Sequence, residues 1–273
     1  AHPLGRAVAK RPRVPHFRQI RGVRTVVGGS GVRGLMRGFV GALLPVQCAG
    51  CRAWDDVLCP SCRSLAGGPA HVASLDGARG PLPLVAMGDY DGPLRRIILA
   101  AKHSARTDVT DFLDEAGARL GTALGGVLGV AGSPAAAVGV PMGRAASTGS
   151  AVDVWVVPAP SSWKRHLRGR QVALPLARAV ARALAASARP GVRVQVVDAV
   201  RLRVGATSQS GKAGAQRTVG RMGSMRALAV PPPDVLVVAV DDVVTTGATV
   251  REMERVLGGL DAVATLCRPG LIS

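Results

Sequence analysis

Apolar positions along this chain come in two rhythms, short unbroken runs and stretches at helical spacing, and the two alternate. The clearest run is 235–240, directly after the prolines Pro231, Pro232 and Pro233 and a single Asp. A short apolar run bounded by breakers predicts a strand buried on both faces, as in a parallel sheet. Val250, Met253 and Leu257 follow at the spacing of one helix face. The same pattern gives strands at 84–87, 153–157, 193–199 and 263–267, and a short return strand within 221–229. A helix opens at Pro93, turns Leu94, Ile97, Ile98 and Ala101 inward, and ends at Lys102 and His103. Another runs from Asp108 with Val109, Phe112, Leu113, Ala116 and Leu120 on one face. A third spans about 172–188, with Pro175 confined to its first turn. Residues 67–83, rich in Gly and Pro, read as a loop. Strands alternating with helices predict an α/β fold, a mostly parallel sheet flanked by helices.

One stretch, 120–143, carries no charge and is long enough to cross a bilayer. It is mostly Gly, Ala and Val, with Pro134 and Pro141 inside it and Ser133 near its middle. That composition predicts a flexible Gly/Ala-rich insertion at about 120–150, and no membrane span is expected.

Chemistry concentrates where the central run ends. Asp241 and Asp242 follow at once, and after two valines come Thr245, Thr246, Gly247, Ala248 and Thr249. In open α/β sheets, ligands bind at the carboxyl ends of strands. A helix N-terminus beside threonine hydroxyls suits phosphate. Adjacent carboxylates accept hydrogen bonds from a vicinal diol. A ribose 5-phosphate meets both demands, whereas a bare helix cap needs only one of these residues.

Composition changes this picture in two ways. Thirty-five Lys and Arg stand against 17 Asp and Glu, a net charge of +18, and the pI is near 11.5. Such a surplus favours polyanionic neighbours: nucleic acid, nucleotides or pyrophosphate. It is densest in residues 1–35, which hold eight basic and no acidic residues and read as a disordered extension. Met36, just before the first ordered-looking segment, is the expected start of the folded part. The core must be aliphatic, since aromatics are 3% of the 273 residues. That length suits one large domain and a small one.

The second change comes from cysteine. Cys48-x2-Cys51, seven residues, then Cys59-x2-Cys62 has the spacing of two zinc knuckles, a small zinc-ribbon module over 36–70. Four thiolates complete a tetrahedral Zn²⁺ site with no open position, so the expected role is structural. A redox CxxC pair explains one pair and not two. Clustered thiols and a charged start without an apolar signal core point to a reducing, cytoplasmic setting. Cys267, alone, reads as a buried strand residue.

Residues 235–250 resemble the phosphoribosyl-pyrophosphate (PRPP) binding motif of type I phosphoribosyltransferases: apolar residues, two acids and a Thr-Gly-x-Thr turn. Beyond them the layout resembles the ComF family over about residues 40–273. The matching features are the paired CxxC knuckles, Tyr90-Asp91-Gly92 with the helix through Lys102, and Val157-Pro158-Ala159-Pro160. Arg168-Gly169-x-Gln171, the loop from Gln209 to Arg217, and Asp241 to Thr249 also match. Where the family often has Gly-Phe-Asn-Gln, this chain has the shorter Gly169-Arg170-Gln171.

The resemblance implies a type I phosphoribosyltransferase-like fold over 81–273, preceded by the zinc ribbon. It implies PRPP bound with Mg²⁺. Asp241 and Asp242 would hold the ribose diol, and Thr245, Thr246, Gly247, Ala248 and Thr249 the 5-phosphate. Ala159, Pro160, Ser161 and Ser162 would form the pyrophosphate turn, with Lys102, Arg168 and Arg217 as counter-charges. The implied activity is transfer of a phosphoribosyl group to an unidentified base. A link to DNA uptake in natural competence is implied too, with single-stranded DNA or uptake proteins as partners. The rival expectation is a non-catalytic nucleotide sensor or DNA-uptake adaptor, which the basic charge favours; no residue is placed as acid or base.

Overall fold

The computed structural model describes residues 46–104, 107–132, 151–161, 171–203 and 223–271. The basic extension 1–35, residues 133–150 of the Gly/Ala-rich insertion, and Ser162, Arg168 and Arg217 lie outside the described residues. In chain order the elements begin with α1 (Pro60–Arg63), a 3₁₀ turn (Ser64–Gly67), β1 (His71–Gly77), β2 (Gly80–Gly88), α2 (Gly92–His103) and α3 (Thr110–Val127). They continue with β3 (Val152–Pro158), α4 (Ala173–Ser187), β4 (Val192–Val196), β5 (Val200–Leu202) and β6 (Met225–Ala227). The last are β7 (Leu236–Val243), α5 (Ala248–Leu257) and β8 (Ala262–Cys267).

Six strands form one sheet in the order β1-β2-β8-β7-β3-β4. All its neighbours are parallel except β1 and β2, and β5 with β6 makes a separate antiparallel ribbon. The fold is therefore α/β with a mostly parallel sheet flanked by helices. The central strand β7 shows why its sequence is an unbroken apolar run. Leu236, Val238 and Val240 enter the core shared with α3 and α4. Val237 and Ala239 enter the opposite core with Val250, Met253 and Leu257 of α5. Each fully buried side chain of this size contributes about 1.5–3 kcal/mol relative to exposure.

Two expectations need correction. Residues 67–83 are not a loop throughout: β1 and the first half of β2 form a hairpin there, from His71↔Ala86 to Gly77↔Gly80. The prolines disguised it. Pro81 and Pro83 precede Leu84, where pairing with β8 begins, so neither takes a place in that ladder. β1 is an edge strand, with Ser74 and Asp76 exposed, and lacks the apolar run of a central strand.

The other correction concerns the insertion. Its first residues, 120–127, belong to helix α3, which continues to Val127. Glycine is used there for close packing against α4. A Cβ added at Gly117 would lie 2.3 Å from the Ala179 Cβ, and one at Gly121 would lie 2.5 Å from the Val180 carbonyl oxygen. The small residues that look like a flexible tract thus let two helices touch. Arg182 of α4 also reaches Asp114 of α3 at 2.7 Å. No helix among the described residues is long and apolar enough to cross a membrane.

The Gly117→Ala variant tests this seam. Ala is favoured over Gly inside a helix by about 1 kcal/mol, while overpacking costs about 1–3 kcal/mol. The contact should win, with net destabilisation of about 1–2 kcal/mol read from the urea midpoint. An unchanged or raised midpoint would mean the helices separate freely.

Candidate functional site

The order of the sheet determines where a crevice opens. β4, which follows β3 through α4, lies on one side of β3; β7 lies on the other, with β8 beyond it. α4 covers one face and α5 the opposite one. The strand order therefore reverses between β3 and β7, and ligands of open α/β sheets settle at the carboxyl ends of such a pair. Pro158 is in register with Val240, and the Ala159 N–H donates to the Val240 carbonyl at 2.7 Å. The turn Ala159, Pro160, Ser161 is thus laid beside the start of the acidic pair.

β7 does not stop at Val240, as its apolar run suggests, but carries both aspartates. Successive strand residues point to opposite faces, so the two carboxylates diverge. Asp242 takes the face of α2, where its Oδ2 lies 2.6 Å from Lys102 Nζ. The Lys102 and Asp242 side chains are only 17% and 14% exposed, respectively. Asp241 Oδ1 accepts the Asp242 N–H at 2.8 Å. Lys102, implied as a pyrophosphate counter-charge, is in this structure the direct partner of Asp242.

Helix α2 delivers that lysine for local reasons. Asp91 is its N-cap, accepting the Gly92 N–H at 2.6 Å, Pro93 sits in the first turn, and Leu94, Ile97 and Ile98 anchor it in the core. Cys267 lies nearby on β8, paired in register with Val243. Burial, then the carboxylates of Asp242 and Asp89, push its thiol up to about 12, against the opposing pull of Lys102. It is an inert packing residue, as its isolation in the sequence suggests.

The hydroxyl-glycine turn follows. Thr245 and Thr246 are exposed and Gly247 is buried. Gly247 caps α5 with φ +70°, a left-handed conformation that other residues adopt only with strain. Gly247 has no side chain to cap this end, and the first-turn N–H groups of a helix have no intrahelical partner. Arg251 donates to the Thr246 carbonyl at 2.5 Å and steadies the turn. The structure therefore brings Lys102, Ala159, Pro160, Ser161, Asp241, Asp242 and Thr245, Thr246, Gly247, Ala248 and Thr249 to one edge of the sheet. Ser162, Arg168 and Arg217 lie outside the described residues. Sequence reasoning missed Arg251 as a support, and its i+5 spacing from Thr246 gives no signal.

The second chemical feature is the cysteine cluster. The sulfurs of Cys48, Cys51, Cys59 and Cys62 all lie within 4.8 Å of one another, close enough to hold one metal ion such as zinc. Tetrahedral Zn–S bonds of about 2.3 Å place sulfurs about 3.8 Å apart, and the Cys51–Cys59 pair is at 3.5 Å. Arg52 and Asp55, both with positive φ, turn the chain between the knuckles. The Cys59 N–H donates to Cys48 Sγ at 3.4 Å. Burial works to raise the Cys48 thiol, but backbone donors from Cys59, Cys51 and Gly50 outweigh it and bring it to about 6. Burial and the crowding sister sulfurs push Cys62 up instead. Only a cation lets four such neighbours ionise together.

The cluster is built into the main core. Cys48, Leu58, Cys62 and Ala66 join the core formed with α2 and α3. Arg96 of α2 donates to the Gly50 carbonyl, and a Cβ at Gly50 would come 2.5 Å from Cys62 Sγ and 3.3 Å from Ile97 Cδ1. The same helix thus carries the cysteine knuckle on one turn and Lys102 near its end.

Removing Lys102 strands a largely buried carboxylate. Lys102→Met should cost about 2–3 kcal/mol in denaturant unfolding, and Asp242→Asn in that background should return part of it. Additive losses would show that the pair is not coupled. No family model and no curated protein matches this chain.

Proposed function

We propose that the edge formed by β3, β7 and α5 binds the ribose 5-phosphate part of PRPP, in a type I phosphoribosyltransferase-like, ComF-like domain. One observation carries the reading. An acidic pair and a Thr-Gly turn leading to a helix N-terminus meet the β3 turn where the strand order reverses. Asp241 and Asp242, whose side chains leave the end of β7 on different sides, would each take one hydroxyl of the diol, Asp242 while paired with Lys102, and residues Thr245 to Thr249 would receive the 5-phosphate through hydroxyls and backbone N–H groups. Lys102 neutralises Asp242, which eases repulsion between adjacent carboxylates and a phosphate-rich ligand. Ala159, Pro160 and Ser161 are proposed as the described part of the pyrophosphate turn; the roles the resemblance implies for Ser162, Arg168 and Arg217 fall on residues outside the described ones. PRPP is proposed to bind with Mg²⁺, a hard cation that would supply positive charge to the phosphate-rich ligand while taking few protein ligands.

The reaction proposed is displacement at ribose C1. A base nitrogen donates its electron pair to form the N–C1 bond, the C1–O bond to pyrophosphate breaks, and pyrophosphate leaves with the electrons of that C1–O bond. The nitrogen then loses its proton to solvent. The protein's part is to steady the departing polyanion and the cationic sugar, which asks for placed charges and not for a strong base.

Titration calorimetry with PRPP and Mg²⁺ tests the site. Asp241→Asn should weaken binding about tenfold to a hundredfold, the value of a charged hydrogen bond. Wild-type and variant behaving alike, with no PRPP bound, would falsify the reading. Pyrophosphate release against a panel of bases then separates an enzyme from a nucleotide sensor, which binds PRPP and releases nothing.

The cysteine cluster is proposed to hold a structural Zn²⁺ with all four thiolates, leaving no position for substrate. Because the knuckles pack on α2, chelation should lower the thermal midpoint and speed amide exchange across residues 92–103. A protein purified without metal, whose midpoint ignores chelator, would remove zinc from the account.

A further inference from the structure

The hairpin tip between β1 and β2 and one side of α5 enclose a cleft of about 400 Å³. Its wall carries three guanidiniums, Arg79 from the hairpin and Arg251 and Arg255 from successive turns of α5. Gly77, Ala78, Gly258 and Gly259 add backbone and little side chain. The cleft contains neither the acidic pair nor the hydroxyl-glycine turn.

Each arginine is already anchored by a fixed acceptor. Arg79 donates to the Gly258 carbonyl, Arg251 to the Thr246 carbonyl, and Arg255 through two nitrogens to Glu252 at 2.8 Å. A guanidinium has five N–H donors, so none of these bonds exhausts its arginine. Anchoring removes much of the side-chain freedom that ligand binding would otherwise have to freeze.

Two carboxylates share the wall. Glu254 is 4% exposed and committed to the hairpin, both oxygens lying 3.0 Å from the Ala78 nitrogen. Asp76 is exposed. Three arginines thus stand beside three carboxylates, Asp76, Glu254 and the Glu252 that pairs with Arg255, and what the cleft offers an anion is the guanidinium N–H donors these contacts leave over. The volume lies in the range of small-molecule sites. No aromatic or large aliphatic side chain lines the cleft, so it offers nothing for a base to stack on and much for phosphate oxygens.

We propose that this cleft is a second anion site, taking a compact di- or triphosphate: inorganic pyrophosphate or the phosphate tail of a nucleoside triphosphate. The proposal does not rest on the ribose-phosphate reading, although Arg251 also supports the Thr246 turn. Its test is phenylglyoxal labelling of the full chain with peptide mass mapping, with and without inorganic pyrophosphate, beside titration calorimetry. Pyrophosphate should protect Arg79 and Arg255 from labelling. Arg79→Glu, a change at an exposed residue, should weaken that binding event about tenfold or more. Asp241→Asn should leave it unchanged, so loss of PRPP binding and loss of this site are read separately. Full labelling of Arg79 and Arg255 at saturating pyrophosphate in the wild-type chain would overturn the proposal, whether or not the variant folds. Protection by a single-stranded oligonucleotide but not by pyrophosphate or ATP would overturn it as well, since the cleft would then serve a nucleic-acid backbone.

Discussion

Burial of β7 on both faces is the constraint from which the rest follows. A strand covered by α3 and α4 on one side and α5 on the other has no room for an unpaired polar group until it leaves the core. Its first polar residues therefore appear together at the carboxyl edge, as Asp241 and Asp242. Parallel neighbours on both sides, β3 and β8, oblige the chain to cross over through helices. Those crossovers bring a turn from β3 and the start of α5 to the same edge.

Polar groups inside this aliphatic structure act as clasps. Glu252 and Glu254 are buried on α5, yet each has partners. Glu252 accepts the Met225 N–H and so ties β6 to the helix, while Glu254 takes the Ala78 N–H at the hairpin tip. Arg255 beside Glu252 holds that carboxyl below its ordinary range, against the opposing effect of burial. Asp261 on the approach to β8 accepts the Val237 N–H at 2.7 Å. Among the described residues, no buried side-chain nitrogen or oxygen lacks a partner. With few aromatic residues to fill space, direction comes from such bonds and from close helix contact at Gly117 and Gly121.

Helix α2 joins the two chemical features. Its middle packs on the cysteine knuckles through Arg96 and Ile97, and Lys102 near its end meets Asp242. The small cysteine segment is therefore packed on the same helix that presents Lys102 to Asp242. Both contacts belong to one helix, anchored in the core by Leu94, Ile97 and Ile98.

Much of this was legible locally. Apolar runs marked β3, β7 and β8, helical spacing marked α2, α4 and α5, and the two CxxC pairs marked the cluster, because each signal lies within one element or one short segment. The edge hairpin was hidden, since Pro81 and Pro83 are breakers almost anywhere but ahead of the β8 ladder. The continuation of α3 was hidden because glycine in a close helix contact has the same composition as a flexible linker. The residue types of the acidic and hydroxyl-glycine stretch were determined by the sequence alone. The divergence of its two carboxylates, the capture of Asp242 by Lys102 and the arginine cleft at α5 were decided only by tertiary structure. Their partners lie far apart in the chain, and only packing of the helices on the sheet brings them within reach.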